Sequence, residues 1–274
     1  MIVVTGATGN VGGALVEQLG GSGVPVRGLT RDVSRTGLLA GVEAAEGDLT
    51  RPETLGAALD GATALFLIAH GDVPGVLRMA RAAGVERVVL LSSNAVETWP
   101  DGAIGAVHRR AEEAVLESGL GWTFLRPGAF AANALAWAPA IRRDGVVRAP
   151  FAHVASPMIH EADIAAVAGA VLTGSGHDGR VYTLTGPEAL TTGQQVAEIG
   201  AALGRDLTYE EITAEQAREV MERQMPPAIA ASVLDMLATV TPDVARVLPT
   251  VEEVTGAPAR TFGQWARDHV DAFR

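Results

Sequence analysis

The chain has 274 residues, 48% of them hydrophobic, enough for one large α/β unit with a smaller appendage and too apolar for extended disorder. A formal net charge of −11 with no basic stripe disfavours a nucleic-acid-binding surface. There is no cysteine and no lysine, the 21 cationic side chains all being arginine, which excludes disulfides, thiolate chemistry, Schiff bases, a P-loop lysine and any Tyr–Lys acid pair.

Residues 2–4, Ile-Val-Val, form a short β-branched apolar run, the pattern of a strand buried on both faces. A strand starting so early leaves no room for a cleaved leader, and no apolar run approaches a membrane span; the expectation is a cytoplasmic protein without membrane contact. Glycines follow at a spacing of three in Gly6-Ala7-Thr8-Gly9-Asn10-Val11-Gly12, and Val11, Leu15 and Leu19 mark one face of a helix. Strand, glycine turn and helix in that order suit the pyrophosphate of a dinucleotide. Gly6 permits the tight turn, Gly9 the close approach of backbone to phosphate, and Gly12 the packing of helix on strand, while the helix N-terminus offers free N–H groups. The buried strand in front separates this reading from a glycine turn that binds nothing.

Residues 24–29 read as the second strand, followed by Thr30-Arg31-Asp32. A carboxylate at this strand end suits the ribose hydroxyls of NAD, and an arginine suits the 2′-phosphate of NADP. Arg31, with Arg35 nearby, favours NADPH; Asp32 keeps the other reading open. Residues 42–46 are the third strand, ending in Gly47-Asp48-Leu49, where Asp48 either faces a ligand or caps the helix that opens near Pro52. Residues 64–69 are the fourth strand, and Ala69 and His70 stand at the carboxyl edge where open α/β sheets take ligands. His70 either lines a cofactor ribose there or is a solvated loop histidine.

A helix over residues 72–83 and a fifth strand over residues 87–91 lead to Ser92-Ser93-Asn94. The next helix carries His108 and Glu112, four apart on one face and able to pair, as a surface ion pair or as catalytic groups. Both tyrosines, Tyr182 and Tyr209, come much later. A sixth strand over residues 122–126 runs into Pro127-Gly128-Ala129-Phe130, and Phe130, Asn133 and Trp137 follow at near-helical spacing, as packing or as pocket wall.

Beyond residue 140 the alternation becomes irregular. Residues 157–172 are expected to return to the first unit, with Glu161 and Asp163 in the first turn of a helix and Met158 and His160 bordering the cleft. Ile164 stands where H-E-x-x-H needs its second histidine, so no metal site is expected. Residues 181–184 read as a strand, Thr192/Gln195, Thr213/Gln216 and Thr250/Glu253 as capping boxes, and residues 262–273 as a final helix with Trp265 and His269. The expected division is a dinucleotide-binding unit over residues 1–140 and a smaller, mainly helical substrate-side region over residues 141–274.

The glycine spacing is G-x-x-G-x-x-G rather than G-x-G-x-x-G. Together with T-G-A-T-G-N-V-G, S-G-L-G-W-T-F-L-R-P-G, D-I-A and L-T-G-P it resembles, over essentially the whole chain, the NmrA-like group of atypical short-chain dehydrogenase/reductase proteins. The resemblance implies a Rossmann-type doubly wound parallel sheet and a preference for NADPH over NADH. It implies an adenine loop at Asp48 and Leu49, and a cofactor- and substrate-facing segment at Ser92 and Ser93. The loop after R-P-G, from Pro127, would wrap the nicotinamide, and a His and a Glu at the separation of His108 and Glu112 would replace the superfamily's tyrosine. His108 or Ser93 is then the candidate proton donor.

The activity implied is hydride transfer from NADPH to a small carbonyl, quinone or conjugated acceptor, and the missing Tyr–Lys pair counts against simple ketones. Two alternatives stand. One is a non-catalytic NADP(H)-binding redox sensor acting through a protein partner. The other is a nucleotide-sugar epimerase-like enzyme, against which the same missing pair counts.

Overall fold

The computed structural model describes residues 1–35, 42–240 and 245–274. Each run read as a strand is one, with ends shifted by at most two residues. The first half runs β1 (Ile2–Val4), α1 (Asn10–Gly21), β2 (Val26–Thr30), β3 (Glu43–Glu46), α2 (Gly56–Leu59), β4 (Ala64–Ile68), α3 (Val73–Ala82), β5 (Arg87–Leu91), α4 (Ala95–Thr98), α5 (Ala103–Glu117) and β6 (Gly121–Pro127). The second half runs α6 (Ala138–Asp144), β7 (Val146–Ala149), β8 (Ala155–Ser156), α7 (Glu161–Thr173), β9 (Arg180–Leu184), β10 (Leu190–Thr191), α8 (Thr192–Leu203), β11 (Thr208–Glu211), α9 (Ala214–Met221), α10 (Pro227–Ala238), α11 (Thr250–Thr255) and α12 (Phe262–Asp268).

Seven strands make one sheet in the order β3-β2-β1-β4-β5-β6-β9, each neighbouring pair parallel. The side-chain period of two explains why the central strands read as unbroken apolar runs. Ile2, Val4 and Phe66 enter a core beneath α1 and α7, whereas Val3, Leu65 and Leu67 enter one beneath α2, α3 and α5. Leu65 and Leu67 are completely buried, each contributing about 2–3 kcal/mol of transfer free energy. The chain reverses direction across the sheet between β1 and β4, which opens a crevice at the carboxyl edge.

The boundary expected near residue 140 is crossed twice, because α7 packs under the sheet and β9 adds its seventh strand. Between and after these returns a third core forms from Ala134, Ile141, Val147, Val196, Ile199, Phe262 and Trp265. The pairs β7–β11 and β8–β10, which periodicity did not reveal, are four and two residues long. This region reaches back onto the sheet half where Trp99 Nε1 donates to Thr239 Oγ1 at 2.7 Å.

Among the described residues three capping boxes form, at Thr191/Gln194, Thr213/Gln216 and Thr261/Gln264. Thr213/Gln216 is as expected. The box placed at Thr192/Gln195 is one residue late, since Gln195 Nε2 instead donates to the Leu190 carbonyl at 3.0 Å. Thr250 lies inside α11, with Pro249 at the cap, and the final helix stops at Asp268 before a 3-10 turn over Val270–Phe273. No described helix is long and apolar enough to cross a membrane.

Candidate cofactor and acceptor site

The glycine turn leaves β1 at the sheet's reversal point. Gly6 adopts φ +64°, in the left-handed region, and its carbonyl accepts from Gly9 N at 2.8 Å. A Cβ on Gly12 would lie 2.2 Å from the Gly6 oxygen, so only glycine lets α1 begin this close to the turn. Ala7 and Val11 are packed into the core, and Thr8, Gly9 and Asn10 are exposed. The first two can therefore meet a ligand through backbone alone. Among the described residues no side chain caps α1 at Gly9, which leaves its first N–H groups and dipole end to a ligand. An open helix N-terminus, a Cβ-free cradle and a crevice fit the pyrophosphate of a dinucleotide.

Thr5, which sequence reasoning passed over, stitches the crevice together. It is buried, its hydroxyl donates to Phe66 O at 3.0 Å, and the same oxygen accepts from Ile68 N at 2.9 Å. The available signal was a threonine closing an otherwise apolar strand. Half-buried Ala69 and exposed His70 continue from Ile68 on the same edge. Asp72 N donates to Leu49 O at 2.8 Å, so the loops after β3 and β4 lie side by side.

At the other side of the turn Arg31 is exposed, and among the described residues no ion pair engages it. The Asp32 carboxylate is occupied: it accepts from Ser34 N at 3.0 Å and Ser34 Oγ at 2.6 Å. The Asp48 carboxylate accepts from Thr50 N at 2.9 Å and Thr50 Oγ1 at 2.8 Å. Those two bonds, with the charges of Arg51 and Arg31, hold it below the ordinary aspartate range. Asp48 thus does not cap the turn at Pro52, where Arg51 holds the cap position; the nearer Thr50 donors capture it first.

Beyond the crevice, the segments carrying the family-like motifs converge on the ends of β6 and β9. Gly128 N donates to Leu184 O at 2.9 Å, Ala131 N to Ile159 O at 2.8 Å, and Gly186 N to Pro157 O at 3.0 Å. Pro127, Phe130 and Met158 lie on these segments, Pro127 buried and the other two half-exposed, with Phe130 bridged to Ile159. Phe130 opens a 3-10 segment over Ala131–Trp137, which leaves Asn133 exposed and Trp137 half-buried against the third core. His160 is not brought to them. It is 4% exposed, caps α7 by accepting from Ala162 N at 3.1 Å, and faces Asp268 at 3.3 Å.

The His108–Glu112 pair that the spacing allows does not form. Glu112 is 5% exposed and points under the sheet edge, where it accepts from Ser92 Oγ at 2.5 Å and from Arg126 Nε and Nη2 at 2.9 and 2.6 Å. A bidentate guanidinium outcompetes an imidazole for a desolvated carboxylate. The Arg126 guanidinium is held above its usual value by its bonds to Glu112. His108 Nδ1 instead sits 2.9 Å from Ile104 O on its own helix, an oxygen that only accepts, so Nδ1 carries the proton. Ser93 Oγ accepts from Ala95 N at 3.2 Å, and among the described residues no acceptor takes its own proton. Neither tyrosine is available to the crevice: Tyr209 OH donates to Ala149 O and Tyr182 OH pairs with His177. A groove of about 610 Å³ lies elsewhere, among Gln18, Ser22, Gly169 and Thr255, at the far end of α1 from the glycine turn.

A sheet with this reversal, glycine cradle and open helix end defines a dinucleotide-binding protein. The family model described as NAD(P)H-binding matches residues 6–175, and the chain belongs to that family, in its NmrA-like, atypical short-chain dehydrogenase/reductase form. It is 42% identical to the (4-alkanoyl-5-oxo-2,5-dihydrofuran-3-yl)methyl phosphate reductase of Streptomyces griseus, covering 100% of this chain and 99% of that one. It is 39% identical to the NAD(P)H azoreductase of Xenophilus azovorans, with the same coverage. Among solved structures it is similar to the NADPH-dependent quinone oxidoreductase of Escherichia coli complexed with NADPH. There the TM-score is 0.81 and the identity 26%, over 98% of this chain and 99% of that one.

Proposed function

We propose that the chain is an NADPH-dependent reductase of conjugated acceptors: quinones, enones and unsaturated lactones. The observation that carries this reading is the chemistry around the crevice, a dinucleotide cradle beside strand-end hydroxyls with no phenol–ammonium pair. Lysine is absent from the chain, and both tyrosine hydroxyls are engaged elsewhere. Reducing a simple ketone creates a basic alkoxide that needs a strong, placed acid. Reducing a quinone or enone delocalises the charge, and a weaker donor suffices. The relatives' names support this, since a 5-oxo-2,5-dihydrofuran bearing an alkanoyl group, an azo compound and a quinone are all extended π-acceptors.

When bound, the reduced nicotinamide supplies the hydride. The chain's own residues do the rest. Residues 6–12 with the N-terminus of α1 hold the pyrophosphate, and Arg31 the 2′-phosphate, Asp32 being turned to Ser34. Asp48 and Leu49 flank the adenine; Ala69, His70, Ser92 and Pro127 border the nicotinamide ribose. Phe130, Asn133, Trp137 and Met158 wall the acceptor, whereas His160 supports that wall from the core. The proton donor is Ser93, whose hydrogen no acceptor takes among the described residues. His108 is the second candidate, its Nδ1–H being committed to Ile104 O so that only Nε2 is left to a ligand.

The test is NADPH oxidation across a panel of quinones, enones, unsaturated lactones and simple ketones. Conjugated acceptors turning over at least about tenfold faster than ketones, with NADPH preferred to NADH, is the expected outcome. Faster ketone reduction would overturn the acceptor class, and tight NADPH binding without any turnover would favour a redox sensor.

A further inference from the structure

Three polar side chains, two buried and one nearly so, are joined at the ends of β5 and β6, and of them only Ser92 has been given a part above. Glu112 and Ser92 are 5% and 3% exposed, and the Arg126 side chain 12%. The Glu112 carboxylate is the hub: Ser92 Oγ and Arg126 Nε donate to Oε1, and Arg126 Nη2 to Oε2. Arg126 Nη1 extends the network to Glu97 on α4. Four elements are thereby cross-braced: the ends of β5 and β6, α4 and α5.

Stability alone is a weak reason for such a group. An ion pair in this position returns little over well-packed apolar side chains, because both charges must be desolvated. Its location is more informative. Ser92 immediately precedes Ser93, Arg126 immediately precedes Pro127, and Glu112 lies one helical turn from His108. Each arm of the brace is therefore next in the chain, or one helical turn, from a residue assigned above to the cofactor or to proton transfer. Backbone bonds reinforce the same join, from Ser92 N to Leu125 O at 2.8 Å and from Asn94 N to Pro127 O at 3.1 Å.

We propose that Glu112 and Arg126, acting through Ser92, are positioning residues that fix the seat of the nicotinamide and the acceptor. The proposal rests on the dinucleotide-binding reading above. The Ser92 proton is committed to Glu112, so Ser92 presents only lone pairs to a bound nicotinamide and takes no part as an acid. Loss of the brace frees the ends of β5 and β6 to shift against each other, while the pyrophosphate cradle at β1 is untouched.

The test compares wild type with Glu112→Gln, Ser92→Ala and their double variant. Readouts are NADPH affinity, kcat and KM with a quinone, and the nicotinamide fluorescence emission of bound NADPH. Glu112→Gln keeps the shape of the side chain and removes its charge. Expected are NADPH affinity within about threefold of wild type, kcat lowered about tenfold or more, and emission moved toward that of free NADPH. Ser92→Ala shifts both in the same direction, and the double variant is no worse than Glu112→Gln, because the two act in series. Should Glu112→Gln fail to fold, Ser92→Ala and Arg126→Lys carry the same comparison.

Folded variants that keep kcat and emission within twofold would overturn the proposal, as would equal losses in kcat and NADPH affinity, the sign of a general structural role. If wild type binds NADPH but reduces nothing, the reductase reading falls and the emission comparison still decides the brace. Wild-type emission identical to that of free NADPH would count against it.

Discussion

Replacing Gly12 by alanine probes the joint on which the cofactor cradle depends. The new Cβ would stand 2.2 Å from Gly6 O, 2.6 Å from Gly6 C and 3.0 Å from Thr5 O, where ordinary contact begins at 3.4 Å. All three neighbours are backbone, so no side chain can swing aside. The start of α1 must instead retreat by about 1 Å, an overpacking strain of about 1–3 kcal/mol. The same retreat lifts the helix N–H groups away from a bound pyrophosphate, and one charge-assisted hydrogen bond lost is worth about 1.5–3 kcal/mol, or tenfold and more in Kd. Gly13 is the control. There a Cβ meets only Ala7 O, at 3.5 Å, and alanine in a helix gains up to about 1 kcal/mol over glycine. Fluorescence titration with NADPH and thermal unfolding should show Gly12→Ala binding at least about tenfold more weakly and melting several degrees lower. Gly13→Ala should bind normally and melt no lower. Equal behaviour of the two variants would refute the reasoning.

Other outcomes follow from the same geometry. Arg31→Ala should raise the Kd for NADPH by about tenfold and leave that for NADH unchanged, as measured by calorimetry; parallel losses would remove Arg31 from the phosphate site. Ser93→Ala should lower kcat with a quinone without weakening NADPH binding, and His108→Ala should lower it less; the reverse ranking would transfer the proton to His108. Thr261→Ala removes the hydroxyl that accepts from Gln264 N at 3.2 Å and should cost about 1 kcal/mol in denaturant unfolding, whereas Thr250→Ala should cost clearly less. The Asp48 carboxyl should titrate below the ordinary aspartate value by NMR, and Thr50→Val, which deletes one of its two nearest donors, should raise it. Since its folded pKa is depressed, its contribution to stability is present above the unfolded carboxyl's pKa and disappears as pH falls through the folded one.

The centre of the sheet was legible in the sequence because strands such as β1 and β4 are buried on both faces and flanked by glycine. The run from Gly6 to Gly12 was legible for a related reason: close backbone approach restricts the residue type, and that restriction shows in one dimension. The pairing of Glu112 was not legible. Helical spacing placed it beside His108, but the choice of partner lay with Ser92 and Arg126, on strands remote in sequence, and with burial, which periodicity in a polar stretch does not report. His160 misled likewise, since a histidine beside a motif looks the same whether it faces a cleft or caps α7. The two-residue strands β8 and β10 are too short to carry a period, and β11, Thr-Tyr-Glu-Glu, has no apolar run. The Arg35 side chain, read with Arg31 at the end of β2, lies outside what the structure describes.

The central claim is that NADPH held at the glycine turn reduces a conjugated acceptor beside Ser93. A single-turnover experiment tests it most directly: protein loaded with one equivalent of NADPH is mixed rapidly with excess quinone, and the absorbance of the reduced nicotinamide is followed. Wild type should show stoichiometric loss of that absorbance, slowed in Ser93→Ala and absent from Gly12→Ala at concentrations where it no longer binds. Bound NADPH that stays reduced in the presence of every quinone and enone offered would contradict it.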